Sequence, residues 1–465
     1  MQQKTIWISL YDGDTEKNIL RSGIFPLLKA SGARIVLLVR SAKRVPYYEQ
    51  EFKAENVEVE LLPNATGWFE ILYNHISWNT IPTYSVYLRR HDMYLVHKNI
   101  LRYAGESVLG FLGRFKLWRN ILRGFYYVLP DNYADELFRK YKPDVIFTPN
   151  MFSPDDCRLL KAAKKRRIPS ITTVKSWDVL TTKAFTRVRA DMVLVFNEYN
   201  AREAVVYGDY KPSQVVITGF PQFDIYAQQG VLESREAFCK KTGLDPQAAI
   251  ILFAVPGDWK MQYTDEVLKH IDSAIERGEI YGPVQILARV HPKYPSKVEQ
   301  RKDYKHVVIE RPGTYFSAGQ ERSLDTSATG ALAWTFTDKD IIHLANSLYH
   351  SAVTVNIEST MTLDAAAFNK PIVLVGYDGD QQLPYLKSIV RNYDRNHYRY
   401  VIETGGARLA KNPKELIQDI QAYLKNPALD REKRELLREK LLYKVDGKSS
   451  QRAVDAVLNL LNKNK

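Results

Sequence analysis

Residues 338–378 read DKDIIHLANSLYHSAVTVNIESTMTLDAAAFNKPIVLVGYD, and the order of patterns within them decides the fold. Apolar positions Ile341, Ile342, Leu344, Ala345 and Leu348 keep a helical period, Ala352 to Ile357 is β-branched and alternating, and Ile372 to Val375 is a short continuous apolar run. The spacing predicts helix, strand, turn, helix, strand. Between the two strands stand Glu358, Ser359 and Thr360, at the mouth of the second helix. Either Ser359 or Thr360 can cap that helix, and free amides beside small hydroxyls at a helix start suit a phosphate. Asp364 falls about one turn further on, at ~3.6 residues per turn, on a face that can reach ribose hydroxyls. We read the stretch as a nucleotide pocket.

Working outward, 465 residues exceed one ordinary core, so two domains are expected. Hydrophobic residues at 45% and charged residues at 26% give a globular composition. The two cysteines, Cys157 and Cys239, lie far apart in sequence, which argues against a disulfide framework and for a reducing compartment. The start of the chain lacks the pattern of a signal peptide, and no run approaches the ~20 apolar residues of a spanning helix, so a cytoplasmic protein is expected. A formal net charge of +13 favours an anionic partner.

The N-terminal half repeats the α/β rhythm. Strands are predicted at Thr5 to Leu10, Arg34 to Val39 and Val57 to Leu61, with one helix from about Thr15 to Ala30. The loop after the first strand carries Asp12 and Asp14, either site residues or a solvated capping turn. From Gly67 to Val128, aromatic residues interleave with bases and acids are nearly absent. Such amphipathic basic helices either lie on an anionic membrane face or fill the domain core with their aromatics while the bases face water. No nucleic-acid-binding signature accompanies them, and no nucleic-acid partner is expected. Further strands are predicted at Asp144 to Thr148, Ser170 to Lys175, Asp191 to Phe196 and Val215 to Thr218. Ser176, Asp178, Thr181 and Lys183 stand just beyond the second of these.

In the second half, the predicted strand Ile250 to Ala254 ends in a loop with Gly257. The strand Val284 to Val290 ends in His291-Pro292, flanked by Arg289 and Lys293. A histidine directly after a strand, in a turn stiffened by proline, is a stronger site candidate than a lone histidine elsewhere. A polar stretch from Gly313 to Gly330 reads as an excursion loop, and residues 446–452 as a turn into a last helix over Ala453 to Leu461. Nothing matches G-x-G-x-x-G or a P-loop, and no cluster has zinc spacing, so phosphates are expected to meet amides, His291 and bases without a metal. The fold class is α/β, two Rossmann-like doubly wound domains facing across a cleft. The first covers 1–225 with a basic aromatic helical insertion at about 67–128, and the second covers 226–445. Residues 446–465 form a helix expected to pack back toward the first.

The strand ending in His291-Pro292, the Glu358-Ser359-Thr360 helix start followed by Asp364, and the late Asp446-Gly447-Lys448-Ser449-Ser450-Gln451-Arg452 together resemble GT-B glycosyltransferases of bacterial surface-polysaccharide synthesis. The likeness is strongest to the CDP-glycerol glycerophosphotransferase and polysialyltransferase group, and it covers roughly Lys175 to Arg452. It implies that His291, Ser359 and Thr360 bind donor phosphates and Asp364 the ribose. Gly257, Arg289 and Glu358 are further donor-site candidates, Glu358 standing where the family pattern commonly has an aromatic residue and so departing from it. Ser176, Thr181, Lys183 and Lys448 are candidates for acceptor or phosphate contacts. An inverting transfer needs a base at the acceptor hydroxyl, and Asp178, Asp12 and Asp14 are the nominees. The expected donor is a nucleotide-sugar or CDP-polyol used as substrate, with no cofactor. The expected acceptor is a surface glycan or lipid-linked molecule, reached by peripheral association with the inner face of the cell membrane. Two other readings remain open: a UDP-sugar 2-epimerase-like isomerase, and a non-catalytic membrane- or polysaccharide-binding protein.

Overall fold

A computed structural model describes residues 3–11, 13–63, 67–128, 132–258, 260–292, 294, 296–315 and 334–463. The chain divides into two compact units, Met1–Gln222 with Lys448–Lys465, and Phe223–Gly447. In the first, β1 (Thr5–Leu10), β2 (Arg34–Val39), β3 (Val57–Leu61), β4 (Val145–Thr148), β5 (Ser170–Thr173), β6 (Met192–Val195) and β7 (Val215–Ile217) form one parallel sheet. Its order is β3-β2-β1-β4-β5-β6-β7. Helices α1 (Gly13–Ile19), α2 (Ile24–Ala30) and α3 (Val45–Glu51) link the first three strands. An insertion of α4 (Trp68–Asn79), α5 (Tyr84–His97), α6 (Ile100–Leu112) and α7 (Lys116–Val128) precedes α8 (Asp135–Tyr141) and β4. Then α9 (Pro154–Lys165), α10 (Val179–Thr182) and α11 (Glu198–Val206) follow β4, β5 and β6. Residues of β1 and β4 are buried throughout, as strands covered by helices on both faces must be.

Two expectations for this unit change. The single helix over 15–30 is broken after Ile19, where the Ser22 hydroxyl turns back to the carbonyls of Asn18 (2.8 Å) and Ile19 (3.2 Å). At Gly23 a Cβ would come within 2.9 Å of Ser450 Cβ, so the break also makes room for the C-terminal helix. In the insertion the aromatics divide between core and surface. Tyr73 and Tyr126 are buried with Cys157, Leu160 and Phe185, whereas Trp68, Phe111, Phe115 and Phe125 are exposed.

The second unit contains α12 (Arg235–Thr242), β8 (Ala249–Val255), α13 (Thr264–Glu276), β9 (Val284–Val290), β10 (Val307–Glu310) and a two-stranded ribbon of β11 (Thr314–Tyr315) and β12 (Trp334–Thr335). There follow α14 (Asp338–His350), β13 (Val353–Asn356), α15 (Met361–Ala367), β14 (Ile372–Val375), α16 (Asn396–Thr404), β15 (Arg408–Ala410), α17 (Pro413–Lys425) and α18 (Arg431–Leu442). The sheet is parallel, in the order β10-β9-β8-β13-β14-β15. The elements of 338–378 fall where the sequence places them, but β13 is buried on both faces rather than alternating. Most of the polar stretch read as an excursion loop lies outside the described residues.

The last helix, α19 (Ser449–Asn462), starts four residues earlier than the sequence pattern suggests. Its Ala453, Val454, Val457 and Leu461 join the core that Ile24, Phe25 and Leu28 of α2 share with β1 and β2. Both sheets therefore run outward from a central pair, β1 and β4 or β8 and β13. At such a switch point the flanking crossovers leave in opposite directions and open a crevice beyond the strand ends.

Candidate functional site

In the second unit the loops after β8 and β13 supply the crevice. Glu358 follows β13 with φ 36°, in the left-handed region that side-chain-bearing residues seldom occupy. Such a backbone costs on the order of 1–3 kcal/mol and persists only when its surroundings hold it. Here the hold is ionic. Lys260 Nζ, from the loop after β8, lies 2.6 Å from Glu358 Oε2 and also bonds the Glu358 carbonyl. His397 Nε2 lies 3.3 Å and Arg395 Nε 3.9 Å from Oε1. Burial alone would raise this carboxyl, but Lys260, His397 and Arg395 outweigh it and hold the group down at about 2. Lys260 and Arg395 each keep 22% side-chain exposure against 8% for Glu358, so cationic donors stand toward solvent over a buried anion.

The residues expected to meet phosphate are partly committed within the protein. The Ser359 amide donates to the Tyr398 hydroxyl (3.3 Å), and Ser359 Oγ accepts from the Met361 amide (3.2 Å). Thr360 occupies the N-cap of α15 without a side-chain cap bond. Gly257 accepts the Lys260 amide at 2.9 Å and so shapes the loop that delivers Lys260. Asp364 is buried and accepts the Tyr226 hydroxyl at 2.7 Å. Burial and the Asp364 carboxylate push the Tyr226 phenol well up, against the pull of Arg289, which ties Asp364 and Arg289 to one neighbourhood. Arg289 is itself ion-paired to Glu310, which His343 Nε2 approaches at 2.7 Å. The His291 ring lies tilted against Tyr294 with centroids 4.9 Å apart, and Arg311 holds its loop through the carbonyls of His291 (2.8 Å), Pro292 and Tyr294.

The corresponding crevice of the first unit is built differently. Asp156, in the first turn of α9, is completely buried. The Ser9 hydroxyl from β1 (2.5 Å), the Tyr11 hydroxyl and the Asn150 amide (2.9 Å) all donate to it. Burial raises the Asp156 carboxyl well above its usual range, against those three donors. Its neighbour Asp155, equally buried, accepts from the Tyr133 hydroxyl (3.0 Å) and lies 3.5 Å from Arg40 Nε.

Of the nominees in this unit, Asp12 lies outside the described residues. Asp14 is half exposed and 3.3 Å from Lys175 Nζ, beside Ser176. Asp178 accepts the Thr182 hydroxyl at 2.8 Å. Thr181 is fully buried, its carbonyl bound by Thr83 Oγ1 (2.6 Å), while Lys183 is exposed near the Trp78 ring. Lys448 is exposed at the N-cap of α19. The structure thus draws Glu358 and Gly257 together around Lys260, and Asp364 to Tyr226. Sequence reasoning missed Lys260, Arg395 and His397, and it missed Asp155 and Asp156. Among the described residues no group of three or more histidines, cysteines or carboxylates could hold a metal.

No protein-family model and no curated protein matches the chain. Solved structures do. A UDP-GlcNAc 2-epimerase from Neisseria meningitidis bound to UDP-GlcNAc is similar at TM-score 0.55 and 10% identity, over 98% of this chain and 100% of that one. A glycosyltransferase from Rickettsia africae is similar at 0.51 and 12%, over 100% of both chains. The wall teichoic acid polymerase TagF, soaked with CDPG, is similar at 0.50 and 11%, over 99% of this chain and 89% of that one. Identities this low speak for the fold, which is the two-domain α/β arrangement of the GT-B type.

Proposed function

We propose that the protein is a GT-B glycosyltransferase that takes a nucleotide-activated sugar or polyol phosphate and transfers it, with inversion, to a growing surface glycan or lipid-linked acceptor in the cytoplasm. The observation that carries this reading is the cluster over Glu358. Lys260, Arg395 and His397 surround one buried carboxylate at the switch point of a nucleotide-type sheet. The surplus positive charge suits a diphosphate, which gains most from charge-assisted bonds. Ser359, Thr360 and His291 are the flanking donors, and Asp364 with Tyr226 and Arg289 is the candidate ribose contact. The acceptor base comes from Asp14, Asp178 or Asp12, with Ser176, Lys183 and Lys448 toward the acceptor. Thermal unfolding with UDP, CDP, CMP and GDP tests the donor half, since a ligand of the native state raises the midpoint. One nucleoside diphosphate should stabilise the native protein but not a Lys260→Met variant. Failure of every nucleotide to shift the native protein would end the reading.

A second reading has a specific observation in its favour, the likeness to a UDP-GlcNAc 2-epimerase. Incubation with the stabilising nucleotide-sugar alone separates the two. An epimerase releases an epimerised product without acceptor, whereas a transferase needs an acceptor to turn over.

A further inference from the structure

The consecutive helices α6 and α7 each turn apolar side chains outward while charged side chains are held inside. On α7, Leu117, Ile121, Phe125 and Val128 recur at helical spacing, and all four are exposed, Leu117 by 73% and Val128 by 82%. The opposite face carries Arg119 and Arg123 beside Leu122 and Tyr126, and all four are buried. Arg119 forks onto Asp209 at 2.8 and 2.7 Å, Arg123 reaches the same carboxylate at 2.7 Å, and each also binds main-chain carbonyls. On α6, Leu101 and Val108 point outward, with Leu101 83% exposed, while Glu106 and Gly110 face inward. A Cβ at Gly110 would lie 2.1 Å from the Arg90 guanidinium, which bonds the Glu106 carbonyl at 2.6 Å. The buried arginines thus fix the direction in which the apolar stripes face, and an outward apolar face of this kind marks an interaction site.

Charge names the occupant. Lys98, Arg114 and Lys116 are exposed around the stripes, and the only acid between Met93 and Val128 is the buried Glu106. A protein partner could match the apolar stripes alone, but a basic rim without acids matches an anionic lipid surface. No described helix is long and apolar enough to cross a membrane, and thirteen residues span ~20 Å at 1.5 Å each, short of the ~30 Å hydrocarbon core. We propose that α6 and α7 are an interfacial docking surface for an anionic phospholipid bilayer, with Leu117, Ile121 and Phe125 inserted among the acyl chains and Arg114 and Lys116 at the headgroups. The proposal needs no nucleotide and stands or falls apart from the transferase reading.

Cosedimentation of the full chain with vesicles of phosphatidylcholine alone, or with phosphatidylglycerol added, tests it. Binding should require phosphatidylglycerol and fall as salt rises. Arg114→Gln with Lys116→Gln should weaken it about 25-fold, at roughly fivefold per base. Leu117→Ser, Ile121→Ser and Phe125→Ser combined should weaken it by at least a hundredfold, on the order expected for three large apolar side chains, with the unfolding midpoint unchanged. The proposal is overturned if the native chain ignores the anionic vesicles, or if the triple variant binds them as the native chain does. It is also overturned if light scattering shows a dimer that the triple variant converts to monomer, since a second copy would then cover the stripes. The Arg114→Gln and Lys116→Gln changes touch only exposed side chains and keep the test decisive should the triple variant misfold.

Discussion

The two sheets share one strand order about their switch points, yet close them with opposite chemistry. Beyond β1 and β4 a buried carboxyl, Asp156, is surrounded by hydroxyls and an amide, and beyond β8 and β13 a buried carboxyl, Glu358, is surrounded by cations. Burial dominates at Asp156 and raises the group; at Glu358 it is overcome and the group falls to about 2. One topology therefore yields a crevice where neutral donors hold a buried carboxyl and another where cations gather around one. Topology locates the two crevices, and side chains decide what each can hold.

Breaking the charged side should give the largest effect. Glu358→Gln leaves Lys260 and Arg395 without their counter-ion and releases the φ 36° turn. A carboxyl held at about 2 against an ordinary 4.5 corresponds to about 3 kcal/mol at neutral pH, so urea unfolding at pH 7 should show a loss of that order. The folded value is depressed, so the contribution is fully present above about pH 4.5 and fades as pH falls through about 2. The native protein and the variant should therefore converge in acid, and a difference that grew on acidification would contradict the ionised state of Glu358. Lys260→Met should act mainly on ligand affinity. Removing one charge-assisted bond at ~1.5–3 kcal/mol predicts nucleotide binding weaker by roughly 10- to 100-fold in calorimetry. An unchanged affinity would leave the cation cluster a purely structural lock.

How much of this was legible beforehand follows from what each feature depends on. Local patterns in 338–378 place α14, β13, α15 and β14, because periodicity and a turn between apolar runs are properties of neighbours in sequence. Strand order is not such a property. Asp155 and Asp156 read as ordinary acids in the first turn of a helix until β4 is found beside β1. Lys260 lies 98 residues before Glu358, and Arg395 and His397 lie beyond it in a stretch with no recognisable pattern. The short strand β15 was equally hidden, since three residues carry too little period to read. Burial of Arg119 and Arg123 departs from the reading in which the bases of the insertion face water, because Asp209, their partner, lies far along the chain. What the sequence shows is which residues could be charged partners, and the fold decides which are.

Around Asp156 smaller effects are expected. Tyr11→Phe removes one hydroxyl from Asp156 while Ser9 and the Asn150 amide remain, so a loss near 1 kcal/mol in urea unfolding is the expected result. Asp156→Asn sharpens the comparison further and should cost least, under about 1 kcal/mol. A side-chain amide can turn its oxygen to the Asn150 N–H and its NH2 to the Ser9 and Tyr11 oxygens, because a hydroxyl accepts as readily as it donates. The ammonium of Lys260 and the guanidinium of Arg395 accept nothing, so the same carboxyl-to-amide change at Glu358 leaves only His397 Nε2 able to turn from donor to acceptor. Equal losses for Asp156→Asn and Glu358→Gln would mean that Asp156 is held ionised after all, and the contrast between the two crevices would collapse.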